Sequence, residues 1–136
     1  MAKRANPELM PKVRARLPFD FVLDELESLD PETKPLFGCT AVYVGERIVF
    51  ALREKPTAKQ DNGVWLATTK EHHASLKKVL PSMRSIRVLG NGVTGWQILP
   101  ASSEDFEDEV LKACALVRKN DPRIGKIPAS KRKKRT

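Results

Sequence analysis

Long apolar runs are missing from this chain, and so are most of the features that mark a secreted protein. No stretch approaches the roughly 20 apolar residues that a membrane-spanning helix needs, so we expect no such helix. The opening MAKRANPELMPKV has a charged head but no apolar segment of a secretory signal. The only cysteines, Cys39 and Cys114, are too few for the disulfide framework of a small secreted fold. We therefore expect a cytoplasmic protein.

Aromatic residues are also scarce, at 6% of the chain, although hydrophobic residues reach 40% and charged residues 31%. This balance is typical of a globular protein rather than a disordered one. The 136 residues are enough for one hydrophobic core and too few for two comfortable ones. The composition therefore predicts a single folded domain.

The net charge of +8 is concentrated at the two ends of the chain. Residues 1–17 hold five Lys or Arg against one acid, and residues 123–136 hold seven Lys or Arg and no acid. Residues 18–122 hold 13 basic and 16 acidic side chains, so the body is mildly acidic. We therefore predict a basic arm over 1–17, a folded domain over 18–120 and a basic tail over 121–136.

Hydrophobic spacing predicts alternating blocks of helix and strand. A helical stripe from Phe19 to Leu29 stops at Asp30-Pro31, and a short strand is expected at 34–37. Alternation in AVYVGERIVFAL around Gly45-Glu46 predicts a hairpin with a type II′ turn. A polar segment, residues 54–63, is expected to form an exposed loop before a strand at 64–67.

The second half of the chain also contains alternating helix and strand signals. Thr68 and Glu71 have the spacing of a capping box for a helix that Pro81 stops. Apolar runs at 85–89 and 96–99 flank a glycine-rich loop and predict a second hairpin. A last helix begins after Ser102 or Ser103 and carries one apolar stripe, which consists of Phe106, Val110, Ala113, Cys114 and Val117. The order α-β-β-β-β-α-β-β-α predicts an α+β domain with an antiparallel sheet of five to six strands, covered by helices.

A family resemblance accompanies these patterns. LFGCTAVYVGERIVFAL, which follows FDFVLDELESL, resembles the amino-terminal domain of the TfoX family, where a Phe-Gly turn leads into a similar hairpin. The helix at 70–80, the hairpin at 84–100 with its tryptophan and the helix at 103–119 are similar to YjbR (MmcQ) domains. The resemblance implies a small α+β domain with a role in competence regulation or DNA binding, and it supplies no catalytic residues.

Candidate chemical groups have simpler structural interpretations. His72 and His73 point about 100° apart on a helix, and no other ligand stands at metal spacing, so we expect no metal site. Nothing near Cys39 marks it as an activated nucleophile, and Cys114 lies on the apolar stripe of the last helix. The loop LGNGVTGW lacks the Lys-Ser/Thr end of a P-loop. We therefore expect no cofactor and no enzymatic activity.

Two features favour nucleic acid as the partner. The adjacent cations Lys131, Arg132, Lys133, Lys134 and Arg135 suit phosphate binding, although a solubility tail or a nuclear-import signal would show the same run. Arg84 and Arg87 could extend the phosphate-contacting surface. Trp65 and Trp96 could stack on bases, but tryptophan in a small sheet usually belongs to the core. The leading hypothesis is an accessory nucleic-acid-binding protein, and the alternative is a protein–protein interaction module with an incidental tail.

The ends of the chain have no apolar face to bury. We therefore predict that residues 1–15 and 125–136 are mobile in the free protein. Limited proteolysis is the corresponding measurement, and it should cut both ends before the domain.

Overall fold

Six strands form one antiparallel sheet in the computed structural model, which describes residues 17–88 and 95–127. The strands are β1 (Glu32–Leu36), β2 (Cys39–Val44), β3 (Arg47–Arg53), β4 (Gly63–Ala67), β5 (Arg84–Ser85) and β6 (Trp96–Pro100). Their order across the sheet is β1-β2-β3-β4-β6-β5. The helices are α1 (Phe21–Glu25), α2 (His73–Val79) and α3 (Phe106–Arg118). The predicted α+β class and the predicted order of elements are confirmed.

Tight turns join the first three strands. Phe37 and Gly38 both have positive φ, at 55° and 75°, as a type I′ turn between β1 and β2 requires. Gly45 has a φ of 62° in the two-residue turn between β2 and β3, where the type II′ turn was predicted. In β3 the pairing skips Val49 at a bulge, so Val49 and Phe50 both enter the same core cluster.

The helices are shorter than their hydrophobic patterns predicted. α1 ends at Glu25, and a separate 3-10 turn, Glu27–Leu29, follows it. α2 begins at His73 after a 3-10 turn, Lys70–His72, and no side chain caps either element, so the predicted capping box is wrong. The predicted stripe on α3 is confirmed, because all five of its residues are buried.

One face of the sheet carries the main core beneath the helices. Val64, Leu66 and Leu99 point to this face and pack with Leu76 of α2 and Val110 of α3. Phe19 and Phe21 meet Phe106 edge to face, with ring centroids 5.2 and 6.5 Å apart, so the segment around α1 is attached to the start of α3. This aromatic cluster holds the first and last helices together.

The opposite face of the sheet is buried by a second group of side chains. Trp65 points to this face, is fully buried and meets the half-buried Trp96 edge to face at 5.8 Å. Ala51 and Ile98 flank Trp65 in the same cluster. The prediction that Trp65 belongs to the core is confirmed, but its ring packs on the face away from the helices.

The chain stays attached to the domain beyond α3, through residues 121–127, which we name the strap. Ile124 is fully buried in the main core. The Gly125 N–H donates to the Ala67 carbonyl at 2.7 Å, and Lys126 pairs with Ile48 through both backbone bonds. The strap therefore continues the sheet beside the start of β3, where β4 has ended. Residues 121–127, which were predicted to begin the basic tail, are thus bonded to the sheet, and the rest of the predicted tail lies outside the described residues.

Arg47 fastens the strap from the sheet. Its guanidinium donates to the Asn120 side-chain oxygen at 2.6 Å and to the Ile124 carbonyl at 2.7 Å. Gly125 has a φ of 119°, and a Cβ built on it would lie 2.5 Å from the Arg47 Nη2 atom. The φ of Gly125 favours glycine at this position, and a side chain there would displace the guanidinium from the strap.

The buried Ile124 should make the strap a large contributor to stability. Ile124→Ala should lower the free energy of unfolding by about 2–4 kcal/mol, since it leaves a cavity in a closely packed core. Leu111→Ala, at a side chain 39% exposed on α3, is the matched control and should change it by less than about 0.5 kcal/mol. Urea unfolding measures both. Equal, small effects at the two positions would show that the strap is not part of the folded unit.

Candidate nucleic-acid interface

The predicted phosphate-binding residues fall into two groups. Residues 131–135, the basic run, lie outside the described residues. Arg84 and Arg87 lie on the segment that follows α2, where β5 ends. The structure places these two arginines three residues apart on one segment but gives them different surroundings.

Arg84 belongs to a buried ionic network. Its Nη1 atom donates to the Asp61 carboxylate at 3.1 Å and to the Ser85 carbonyl at 3.0 Å. Its Nη2 atom donates to the Gln60 carbonyl. The Asp61 side chain has no exposed surface, whereas the Arg84 side chain is 26% exposed. Arg84 is therefore a clamp on the loop before β4, and most of its donors are already used.

Asp61 is the centre of this network. Its second oxygen accepts hydrogen bonds from the N–H groups of Arg87, at 2.6 Å, and Val88, at 2.8 Å. Its carbonyl accepts the indole N–H of Trp65 at 3.0 Å. Burial alone would raise the pKa of Asp61, but these backbone donors and Arg84 outweigh it and hold the pKa below its usual value. The carboxylate of Asp61 thus joins the loop before β4 to the segment around β5, and the backbone carbonyl of Asp61 links this loop to Trp65 on the opposite face of the sheet.

The loop at 54–62 is built around buried and paired polar groups. Arg53 is 7% exposed and donates to the carbonyls of Thr57 and Ala58 and to the Asn62 side chain. The Asn62 amide also accepts from the Lys55 N–H and donates to its carbonyl. The predicted loop is present, but its last residues turn inward and are not exposed.

Arg87 has a different position from Arg84. Its backbone N–H is bonded to Asp61, while the residue as a whole is exposed. The side chain is therefore accessible to solvent at a fixed point of the backbone. Of the two predicted arginines, Arg87 is the one whose location suits contact with a charged partner.

A basic surface lies where the strap meets α2. The Arg123 guanidinium donates to the Ser75 hydroxyl at 3.1 Å and pairs with Asp121 through two further bonds. The Arg123 guanidinium also holds the pKa of Asp121 at about 2, so this ion pair persists in mild acid. Exposed lysines lie on these two segments and on the residues directly before each of them, namely Lys70, Lys77, Lys78, Lys119 and Lys126. We name these lysines, with Arg123, the strap–α2 surface.

An acidic surface covers the paired helices α1 and α3. Its nine carboxylates are Asp20, Asp24, Glu25, Glu27, Asp30, Glu104, Asp105, Glu107 and Asp108. No Lys or Arg occurs within residues 17–33 or 100–111, although Arg118 reaches Glu25 at 3.1 Å. Two open depressions, of about 580 and 330 Å³, lie on this surface. Their lining carboxylates make them unsuitable for a phosphate.

The histidines and cysteines have ordinary structural positions. The His72 Nε2 atom lies 3.7 Å from Glu71, and the His73 Nε2 atom lies 3.4 Å from the Gly95 carbonyl. Among residues 17–88 and 95–127, no three His, Cys, Asp or Glu side chains cluster as metal ligands would. Burial raises the pKa of the Cys39 thiol, and it raises that of Cys114 to about 12. Both thiols are therefore protonated at neutral pH.

Sequence reasoning missed two parts of this arrangement. Asp61 stands in Asp-Asn-Gly, which is typical of a turn, and its partners Arg87 and Val88 are 26 and 27 residues away. The strap residue Ile124 stands alone between Pro122-Arg123 and a glycine. That lone apolar residue was the one local signal that the chain returns to the core.

The Asp61 network should control stability in a pH-dependent way. Asp61→Asn should lower the free energy of unfolding by about 2–4 kcal/mol at neutral pH, since the amide is uncharged and cannot accept every bond. Because folding lowers the pKa of Asp61, its stabilisation is complete above the unfolded pKa of about 3.9. It is lost as the pH falls through the folded pKa, so variant and wild type should converge in acid.

Urea unfolding at several pH values measures this effect. Glu54→Gln removes the same charge at an exposed position and is the matched control, which should leave the unfolding midpoint unchanged. A midpoint for Asp61→Asn equal to that of the wild type at neutral pH would contradict the proposed role of the carboxylate.

Comparison of the chain with protein-family models, with curated proteins and with solved structures gave no match. The resemblance to the TfoX and YjbR families therefore stays a prediction from the sequence. What supports a function is the geometry and the charge of the chain's own residues.

Proposed function

We propose that the protein is an accessory nucleic-acid-binding protein that contacts phosphates through basic segments and has no catalytic step of its own. The folded domain positions the cations, and residues 131–135 supply much of the sequence-independent attraction. Counterions released from the nucleic acid drive such binding, so its strength depends on the number of cations that reach phosphates.

The attachment of the strap is the observation that carries this proposal. The Arg123–Ser75 contact and the Ile48–Lys126 pairing fix residues 121–127 beside α2 and the end of the sheet. The basic run begins four residues after Ile127, so it is tethered within about 15 Å of this point. The cations of the run therefore act together with the exposed lysines of the strap–α2 surface.

The acidic surface on α1 and α3 supports one orientation of the partner. Carboxylates repel a phosphate backbone within the Debye length, which is about 8–10 Å at physiological salt. A nucleic acid drawn to the strap–α2 surface would lower its energy by keeping away from α1 and the first half of α3. This separation of charge favours the docking of nucleic acid on one side of the domain. The net charge of the whole chain gives no such direction, because it does not depend on where the charges lie.

The sheet edges favour nucleic acid over a docked strand of another protein. At one edge, Pro35 pairs with Thr40 next to the closing pair of a two-residue hairpin, so the position of its missing N–H faces outward. The exposed Lys34 lies beside it. At the other edge, β5 has only two residues. Proline, lysine and short edge strands all oppose strand addition.

Removing the basic run should change the salt dependence of binding. The five cations of the run should contribute about −4 to −5 to the slope of log K against log salt for duplex DNA, at about −0.9 for each phosphate neutralised. Deletion of residues 129–136 should flatten that slope and weaken binding equally for every sequence, since phosphate contacts read no bases.

Titrations of labelled duplexes over a range of salt concentrations measure the slope. The deletion ends after the strap, so circular dichroism should show an unchanged fold. Absence of any salt-dependent binding to DNA or RNA at low ionic strength, where attraction is least screened, would overturn the nucleic-acid proposal and favour the protein-interaction alternative.

The strap–α2 surface should contribute separately from the basic run. In the protein without residues 129–136, the double change Lys70→Gln and Lys78→Gln should reduce the remaining salt slope by up to about 2, at about 0.9 for each phosphate that is no longer neutralised. Lys112→Gln is the control, since Lys112 is exposed on α3 one turn after Asp108. If Lys112→Gln reduced the salt slope by half as much as the double change or more, the proposed docking side would be contradicted.

A further inference from the structure

The second face of the sheet carries a row of aromatic and basic side chains where the strap ends. Strand pairing places these residues on one face, because partners in neighbouring strands point to the same side. Tyr43 pairs with Ile48, Ile48 pairs with Lys126, and Ala67 pairs with Trp96. We name the side chains of Lys34, Tyr43, Ile48, Ala67, Trp96 and Lys126 the aromatic row.

The two rings of the aromatic row lie on different strands, and the residues between them are alanine and isoleucine. Ala41, Ile48 and Ala67 form one buried cluster, against which the half-buried Tyr43 and Trp96 pack. Tyr43 belongs to β2 and Trp96 to β6, with β3 and β4 between them. Three strand spacings place the two rings about 14 Å apart across the sheet.

The aromatic row carries two lysines. The Lys34 ammonium lies over the Tyr43 ring, 5.1 Å from its centroid, and Lys34 is an exposed residue of the edge strand. The Lys126 ammonium lies 3.7 Å from the position that a Cβ on Gly95 would take, next to Trp96. Glu32 pairs with Tyr43 at the outer edge and contributes one carboxylate to this end of the row. The Tyr43 ring thus has an ammonium group over its face, and Lys126 adds a second cation where the strap meets the sheet.

We propose that the aromatic row binds single-stranded nucleic acid, with bases stacking on Tyr43 and Trp96 and phosphates meeting Lys34 and Lys126. This inference rests on the proposed function and names the form of nucleic acid preferred. A sheet face with aromatic side chains suits unpaired bases, whose faces are free to stack, whereas duplex bases are already stacked on each other.

The Lys34–Tyr43 contact is compatible with this binding mode. A base that stacks on Tyr43 takes the place of the ammonium group over the ring. A cation–π contact at an exposed site is weaker than a base–aromatic stack, so the exchange favours the base. Lys34 is exposed and flexible, and once displaced it can reach a neighbouring phosphate. Lys34 therefore contacts the Tyr43 ring in the free protein and a phosphate in the complex.

Substitution of Tyr43 tests the inference in the intact chain. The probes are an oligothymidylate of about 15 nucleotides and a duplex of the same length, at low ionic strength. Tyr43→Leu keeps an apolar side chain on the sheet but removes the ring, and it should weaken single-strand binding about 5-fold or more. Tyr43→Phe keeps the ring and should bind within about 2-fold of the wild type. Duplex binding should change in neither variant.

The deletion of residues 129–136 separates this inference from the proposed function. If the deletion weakens both probes while Tyr43→Leu changes neither, the aromatic row is overturned and phosphate binding stands. If the intact protein binds neither probe, both proposals fail. Unfolding midpoints of the two Tyr43 variants verify that they are folded when binding is measured.

Tryptophan fluorescence gives a second readout that a merely structural role would not change. Trp65 is fully buried, so quenching by oligothymidylate should come from the half-buried Trp96. Trp96→Phe retains an aromatic ring, so it should keep most of the affinity and lose most of the quenching. If oligothymidylate still quenched the fluorescence of Trp96→Phe as strongly as that of the wild type, the proposed contact between Trp96 and the bases would be overturned.

Discussion

Backbone pairing between Ile48 and Lys126 extends the sheet beside the start of β3. It also fixes the backbone at a position five residues before the basic run begins. The strap can reach this position because Ile124 is buried in the core and Arg47 donates to the Asn120 side chain and to the Ile124 carbonyl. Without this attachment, the cations of residues 131–135 would be tethered to the end of α3. With it, they are tethered next to α2 and the second face of the sheet.

The division of charge follows from the same arrangement. α1 lies along α3, attached by the Phe19–Phe106 contact at one end and by the Arg118–Glu25 ion pair at the other. This contact gathers the carboxylates of two distant chain segments on one surface. The strap and α2 gather lysines elsewhere, so the charges of a mildly acidic body are divided between two surfaces. Folding, and not composition alone, creates the charge separation on which the proposed function depends.

Local patterns predicted most of the fold and little of the site. Both hairpins and the stripe on α3 follow from residues near each other in sequence, and the two-residue turn at Gly45 sets its own register. Asp61 and Ile124 have distant partners, so no local period marks them. The observed start of α2 also differs from the predicted one, because a 3-10 turn precedes the helix and no side chain caps it. Residues 131–135 stay a prediction, since they lie outside the described residues.

Amide hydrogen exchange with and without bound oligothymidylate tests the central claim, which is that nucleic acid meets the strap–α2 surface and the aromatic row and avoids the acidic surface on α1 and α3. The account predicts slower exchange at residues 70–78 and 118–127 and along the second face around Tyr43, with no change at residues 20–30 and 102–110. Protection concentrated on the acidic helices α1 and α3, or a complex with no protection outside residues 128–136, would contradict it.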